Sequence, residues 1–170
     1  MKSNKDIWYK SDRIVVRRLL LNDISLNYVT WFKDQTVTRF IKFAKDPPTL
    51  IDLQTYWRTK NIDNNVDFLG IFWTSSGQHI GNIKFELSAD HSKIHVGFLI
   101  GEIQFRHQGV IRECLPSCVR ILKKRRQVKR IYLTVNPENK SAQRAFLGLD
   151  FKFTGYSDNI GDLEMDYLNV

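Results

Sequence analysis

The sequence predicts a single-domain α+β fold: a mixed, mostly antiparallel sheet with one parallel pair, flanked by helices. Three observations predict it. Apolar and β-branched runs at residues 67–74, 78–88 and 93–101 are separated only by short polar breaks, Ser75-Ser76-Gly77 and the region of Asp90, as in antiparallel neighbours joined by tight turns. The third run is separated from the next one, Arg130 to Val135, by a long amphipathic stretch, and a helical crossover of that kind makes its two strands parallel. No repeat, low-complexity tract or linker divides the 170 residues, so one domain over residues 1–170 accounts for the chain.

The remaining elements follow in order. Asp12 to Leu20 reads as a strand, after which Asn22 or Asp23 can cap a helix reaching about Phe32, with Leu26, Val29 and Phe32 as its buried stripe. A less regular stretch supplies Val37, Phe40, Ile41 and Phe43 before the Pro47-Pro48 break. Thr49 can cap a second helix to about Lys60, with Leu50, Leu53 and Trp57 on one side. The helix after Gly109 places Ile111, Leu115, Cys118, Val119 and Leu122 on one face, while Pro116 removes a backbone donor and favours a kink. Strands at 151–157 and 163–169 close the chain around a turn at Asn159-Ile160-Gly161.

Hydrophobic residues at 42% and charged residues at 26% give an ordinary globular balance. The net charge of +8 and pI near 9.6 favour an anionic partner without naming it. Cys114 and Cys118 lie four apart on one helix face, about 6 Å between Cα atoms with parallel Cβ vectors, which disfavours a disulfide and suits reduced thiols in a cytoplasmic protein. The polar start, Met1 to Asp6, and the lack of an apolar run near the roughly 20 residues of a membrane span speak against secretion or membrane insertion. No zinc spacing, Walker loop, Ser-His-Asp signature or paired-carboxylate motif stands out, so neither a metal nor hydrolysis is expected.

The most informative segment is the strand Ile94-His95-Val96-Gly97-Phe98-Leu99-Ile100 running into Arg106-His107-Gln108-Gly109-Val110-Ile111-Arg112. A first helical turn presents unpaired N–H groups and the positive dipole end, Gly109 permits close approach to the backbone, and Arg106 and Arg112 flank the turn. These residues resemble the GNAT superfamily of acetyl-CoA-dependent N-acetyltransferases, whose signature Arg/Gln-x-x-Gly-x-Gly/Ala is met by Arg106-x-x-Gly109-x-Ile111 in all but the last position. Three further blocks resemble the same plan in the same order: Ile14 to Leu19 with Tyr28 to Asp34, His79 to Lys84, and Asn136 to Phe146 ending at Phe151. The first of them looks like the branch containing ribosomal-protein N-terminal and amino-sugar acetyltransferases.

The resemblance implies a cofactor site in which the backbone of Phe98, Leu99 and Ile100 runs beside the pantetheine arm. The backbone from Arg106 through His107, Gln108, Gly109, Val110 and Ile111 to Arg112 would wrap the pyrophosphate, and Asn139 would contact the pantetheine from the start of the last helix. It places His95 where relatives often carry a carboxylate base, and imidazole titrates near neutral pH. For the proton donor to sulfur, Phe146 and Ala142 stand where relatives have Tyr or Ser, leaving Ser141 next door. The early helices imply an acceptor pocket from Trp31, Arg39, Phe40 and Phe43. Ile111 and Asp150 depart from the pattern, the first by bulk in the phosphate loop, the second where a glycine is usual.

The expectation is a cytoplasmic enzyme moving acetyl directly from acetyl-CoA to a primary amine, a small molecule such as a nucleotide-linked amino sugar in preference to a protein N-terminus. The alternative is a noncatalytic binding protein of the same fold, recruited to RNA through Lys123, Lys124, Arg125 and Arg126, although a basic helix end is more often solvated surface. A homodimer is compatible with either.

Overall fold

The computed structural model describes residues 6–41, 47–157 and 161–168; Phe43 and the turn residues Asn159 and Ile160 lie outside them, as does Asn169 at the end of the last expected strand. The elements run β1 (Ile7–Lys10), β2 (Ile14–Arg18), a 3-10 turn (Leu21–Asp23), α1 (Leu26–Trp31), α2 (Gln35–Thr38) and α3 (Leu50–Ile62). Then come β3 (Val66–Trp73), β4 (His79–Leu87), β5 (Lys93–Ile100), a 3-10 turn (Ile103–Phe105), α4 (Val110–Arg126), β6 (Arg130–Val135), α5 (Lys140–Leu147), β7 (Phe151–Tyr156) and β8 (Leu163–Tyr167). Among the described residues the strands form one sheet in the order β1-β2-β3-β4-β5-β6-β8-β7. Every pairing is antiparallel except β5 with β6, the pair that α4 connects.

Alternation along the strands sends two apolar sets to opposite faces. On one face Ile71, Ile83, Phe85, Ile94, Val96, Ile131 and Leu133 pack with Ile111, Cys114, Leu115, Cys118 and Leu122 of α4. On the other, Phe68 and Phe72 pack with Ile24, Tyr28, Trp31, Phe32 and Leu53 from the early helices. Pro116 is tolerated inside the 17-residue α4 because it sits on the exposed side, where water can satisfy the carbonyl it leaves unpaired. Thr49 caps α3 as the sequence predicts: its hydroxyl accepts from the Asp52 N–H while the Asp52 carboxylate accepts from the Thr49 N–H at 2.8 Å.

Three expectations need correction. The first strand is shorter than Asp12 to Leu20, and β1 precedes it, anchored by the buried Trp8 stacked against Phe85. Asp23 caps no long helix: its carboxylate accepts from the Leu20 N–H at 2.7 Å and binds Arg17 through both oxygens, so α1 starts later, after Ser25. That shift in frame leaves Leu26 70% exposed and makes Ile24, Tyr28, Trp31 and Phe32 the buried set.

Two of the basic residues at the end of α4, Arg125 and Arg126, are paired with carboxylates within the molecule. Arg125 forms a two-pronged pair with Asp6 at 2.8 and 2.9 Å and lies over Trp8. Arg126 reaches Asp67 at 3.1 Å, and Asp67 is also bound by Arg18 at 2.8 Å, with Arg18 and Asp67 both buried. Removing the one carboxylate would strand the buried Arg18 and leave Arg126 with only the Asn64 carbonyl among the described residues, so Asp67→Ala should cost about 3–5 kcal/mol of unfolding free energy, measured by denaturant titration.

Candidate active site

The parallel contact between β5 and β6 is short. It comprises only Lys93 opposite Arg130, Ile94 opposite Ile131 and His95 opposite Tyr132, although β5 runs on to Ile100 and β6 to Val135. Beyond His95 the strands part. β5 stays paired to β4 as far as Ile100, and β6 pairs with β8 from Tyr132 to Val135, so each arm keeps its outer partner and leaves an inner edge of peptide groups unpaired by the other. Phe98, Leu99 and Ile100 lie along one inner edge.

The chain between β5 and α4 brings a helix start to this opening. Gly109 takes φ +72° and His107 φ +59°, both left-handed, and no side chain caps α4. The first-turn N–H groups of Val110, Ile111 and Arg112 therefore keep the orphan status that Thr49 and Asn139 relieve at the starts of α3 and α5. A Cβ added at Gly109 would meet nothing within 4 Å, so the approach to its backbone is open. His107, Gln108 and Gly109 are exposed, while Val110 is buried and the Ile111 side chain turns into the core at 9% exposure. Ile111 accordingly does not fill the cradle. Asp150, the other departure, takes φ +65°, a conformation that Asp tolerates better than most residues.

The two arginines flanking the turn hold the protein together. Arg106 donates from Nε to the Ile100 carbonyl at 3.0 Å, from Nη2 to the Gly101 carbonyl at 2.7 Å and from Nη1 to Thr36 Oγ1 at 2.8 Å, and pairs with Asp34 at 3.1 Å. Arg112 donates from Nε and Nη2 to the Gly148 carbonyl at the end of α5. A residue that local patterning does not flag, Arg13, sits beside the turn instead, donating to the Gln108 carbonyl at 3.0 Å and pairing with Glu113 at 3.2 Å.

His95 occupies the point of parting. Its Nε2 lies 3.2 Å from Thr134 Oγ1, and its ring meets Tyr132 edge-on at 5.3 Å. Across the strand pair stands Glu86, bound by Lys60 at 2.6 Å and Lys84 at 2.9 Å, while Lys84 also donates to the Tyr56 hydroxyl. Burial works against ionisation of Glu86, but the bonds from the two lysines outweigh it and hold its carboxyl below the usual carboxylate value. Burial also depresses His95 below its ordinary 6.5, with Lys84 adding to the fall and Glu86 and Glu164 opposing it. The imidazole is thus a neutral base at neutral pH.

The other candidates are dispersed. Asn139 caps α5, its Oδ1 accepting from the Ala142 N–H at 3.1 Å, which leaves its amide nitrogen for a ligand. Ser141 is exposed, whereas Ala142 and Phe146 turn to the core and Phe146 meets Phe98 edge-on at 5.3 Å. Trp31 is a core residue: it donates to Glu102 at 2.8 Å and lies flush against Gly101, where a Cβ would come within 1.9 Å of its ring. Arg39 is exposed and lies 5.1 Å over the half-buried Phe40. Cys114 and Cys118 are free and fully buried, and their mutual contact together with burial raises the Cys114 thiol far above reactive range. No helix among the described residues is long and apolar enough to cross a membrane.

The chain with this opened sheet and uncapped helix start is, by comparison with known families, an acetyltransferase of the N-acetylating class. A family model for the acetyltransferase (GNAT) domain matches residues 13–152, and the chain belongs to that family. Solved structures agree. RimL, a ribosomal alpha-N-protein acetyltransferase in complex with coenzyme A, superposes with a TM-score of 0.81 at 12% identity, covering 95% of this chain and 96% of its own. An aminoglycoside acetyltransferase with coenzyme A gives 0.74 at 17% identity over 90% and 93%. A GNAT-family acetyltransferase from Bacillus anthracis gives 0.74 at 17% identity over 93% and 95%. At these identities the likeness speaks to the fold. No curated protein matches the sequence.

A second buried histidine sets a testable pH dependence. His79 is enclosed by Tyr28, Trp31 and Phe72, and its Nε2 lies 3.0 Å from the Gly81 carbonyl and 2.8 Å from Asn82 Oδ1. A carbonyl can only accept, so the hydrogen-bond network assigns a proton to Nε2, and among the described residues Nδ1 has no hydrogen bond of good geometry. Burial lowers its pKa from 6.5, so the unfolded chain binds the proton first on acidification. Its contribution to stability is complete above about pH 6.5 and is lost as the pH falls towards the lower folded value. Denaturant titrations between pH 7.5 and 5 should show His79→Gln flattening the slope by at most about 1.4 kcal/mol per pH unit.

Proposed function

We propose that this chain transfers the acetyl group of acetyl-CoA directly to a primary amine, with His95 as the base. The observation that carries the reading is the uncapped start of α4 opening beside the parted strands β5 and β6. The N–H groups of Val110, Ile111 and Arg112 and the dipole of a 17-residue helix suit the pyrophosphate, and the open side of Gly109 admits it to the backbone. The inner edge along Phe98, Leu99 and Ile100, apart from the Ile100 carbonyl that Arg106 already binds, offers peptide groups with which the amide-bearing pantetheine arm can pair like an added strand. The Asn139 amide nitrogen is a further donor for that arm.

His95 meets the needs of the amine. An ammonium must lose a proton before it attacks, and a half-buried neutral imidazole at the mouth of the parting can take it directly or through water. The acceptor we favour is a small amine such as a nucleotide-linked amino sugar, on the branch resemblance of the opening strand and helix. Arg39 and Phe40 lie on the acceptor-side segment and are the side chains there for contacts to such a molecule.

Two measurements test this. Calorimetry should give saturable binding of acetyl-CoA, and a thiol-release assay across small amines and peptide N-termini should give turnover with at least one small amine. His95→Ala should lower kcat by about 10²-fold or more with acetyl-CoA affinity unchanged, and the acidic limb of the wild-type rate profile should fall below pH 6.5. Tight binding of acetyl-CoA without thiol release for any acceptor would make the chain a binding protein of the same fold.

A further inference from the structure

The geometry points to Thr134 as the proton carrier that links His95 to the departing thiolate, an inference that rests on the acetyltransferase reading above. Neither residue at the familiar places on α5 can protonate sulfur, since Ala142 and Phe146 hold no exchangeable proton and both turn to the core. The acids around His95 are engaged as anions: Glu86 by Lys60 and Lys84, Glu164 and Asp166 by Arg130. Beside His95 stands a hydroxyl. Thr134 lies two residues past the last β5–β6 pairing, on the arm across from Phe98 to Ile100, and shares a sheet face with His95 through Tyr132. Its Oγ1 makes one hydrogen bond among the described residues, the 3.2 Å contact to His95 Nε2.

The pair is arranged for transfer from one side of the ring to the other. Arg18 Nε and His79 Nδ1 are the buried side-chain polar atoms without partners among the described residues, so the unbonded Nδ1 of His95 is reached by solvent. With Nε2–H donating to Thr134, Nδ1 carries the lone pair and the threonine proton is free to point elsewhere. The ammonium gives its first proton to Nδ1, which passes it on to solvent, and the free amine then attacks the thioester carbon and forms the C–N bond. The adduct nitrogen then gives its second proton to Nδ1. The C–S bond breaks with its electron pair on sulfur, the Thr134 hydroxyl proton passes to that sulfur, and the Nε2 proton refills Oγ1. The ring ends as the Nδ1–H tautomer and resets by exchange with water.

Thr134→Val removes the hydroxyl at nearly constant shape and Thr134→Ser returns it. With an amine that the wild type acetylates, T134V should lower kcat by about 10²-fold while leaving acetyl-CoA affinity by calorimetry unchanged, and T134S should recover most of the rate. The solvent deuterium isotope effect on kcat should differ between T134V and wild type. Nitrogen NMR of His95 should show a protonated Nε2 in the wild type and a mixture of tautomers in T134V. A T134V enzyme as fast as wild type overturns the inference, as does an equal loss in T134V and T134S. If the wild type releases thiol with no amine, the acetyltransferase reading has failed instead; the NMR spectra then decide on the pair alone, and a bare Nε2 in the wild type overturns it.

Discussion

The brevity of the parallel contact between β5 and β6 governs everything around the site. Three residue pairs hold the two strands together at one end, after which each arm is secured only by its outer neighbour, β4 on one side and β8 on the other. A fully zipped pair would satisfy its peptide groups internally and leave no gap. The parted pair instead keeps two inner edges of donors and acceptors that must be met from within the opening. The crossover helix α4 follows β5 after residues 101–109, and that connection, with its 3-10 turn and the left-handed Gly109, brings the N–H-bearing turn to the same opening. His95, the last residue before the parting, is placed at its vertex by the same register.

The charge of the chain is distributed differently from what its total suggests. Of the net +8, the clustered basic residues at the end of α4 contribute less outward field than their number implies. Arg125 is matched by Asp6, Arg126 by Asp67, and Arg130 by Glu164 and Asp166. These pairs tie α4 and β6 to β1, β3 and β8, so the tract acts as a set of ties between layers. To use Arg125 or Arg126, a nucleic acid would have to compete with those carboxylates.

Much of this architecture was legible in the sequence because it is written in local patterns. The apolar and β-branched runs of β3, β4 and β5, the capping box at Thr49, the apolar face of α4 and the Gly109 turn each depend on residues close together in the chain. What was hidden depends on distant partners. β1 is four residues long and exists because Trp8 finds Phe85 and its backbone finds β2. The frame of α1 moved because Arg17 claims Asp23, leaving Leu26 in solvent. Trp31 looked like an acceptor contact and became core once Gly101 allowed it to lie flat on the backbone. For the site, Gly109 and His95 carry local signals, whereas Arg13 and Thr134 do not. Thr134 could have been found only by pairing the alternation of β6 with that of β5.

The four contacts of Arg106 carry a consequence for how this position can vary. Its planar fork meets two consecutive carbonyls at the end of β5 while reaching Thr36 and Asp34 on the opposite side. An ammonium on a flexible stem cannot span acceptors laid out in that plane, so lysine preserves the charge and forfeits the joint. Exchange of one cation for the other, often counted as silent, would here unfasten the segment carrying Asp34 and Thr36 from the end of β5.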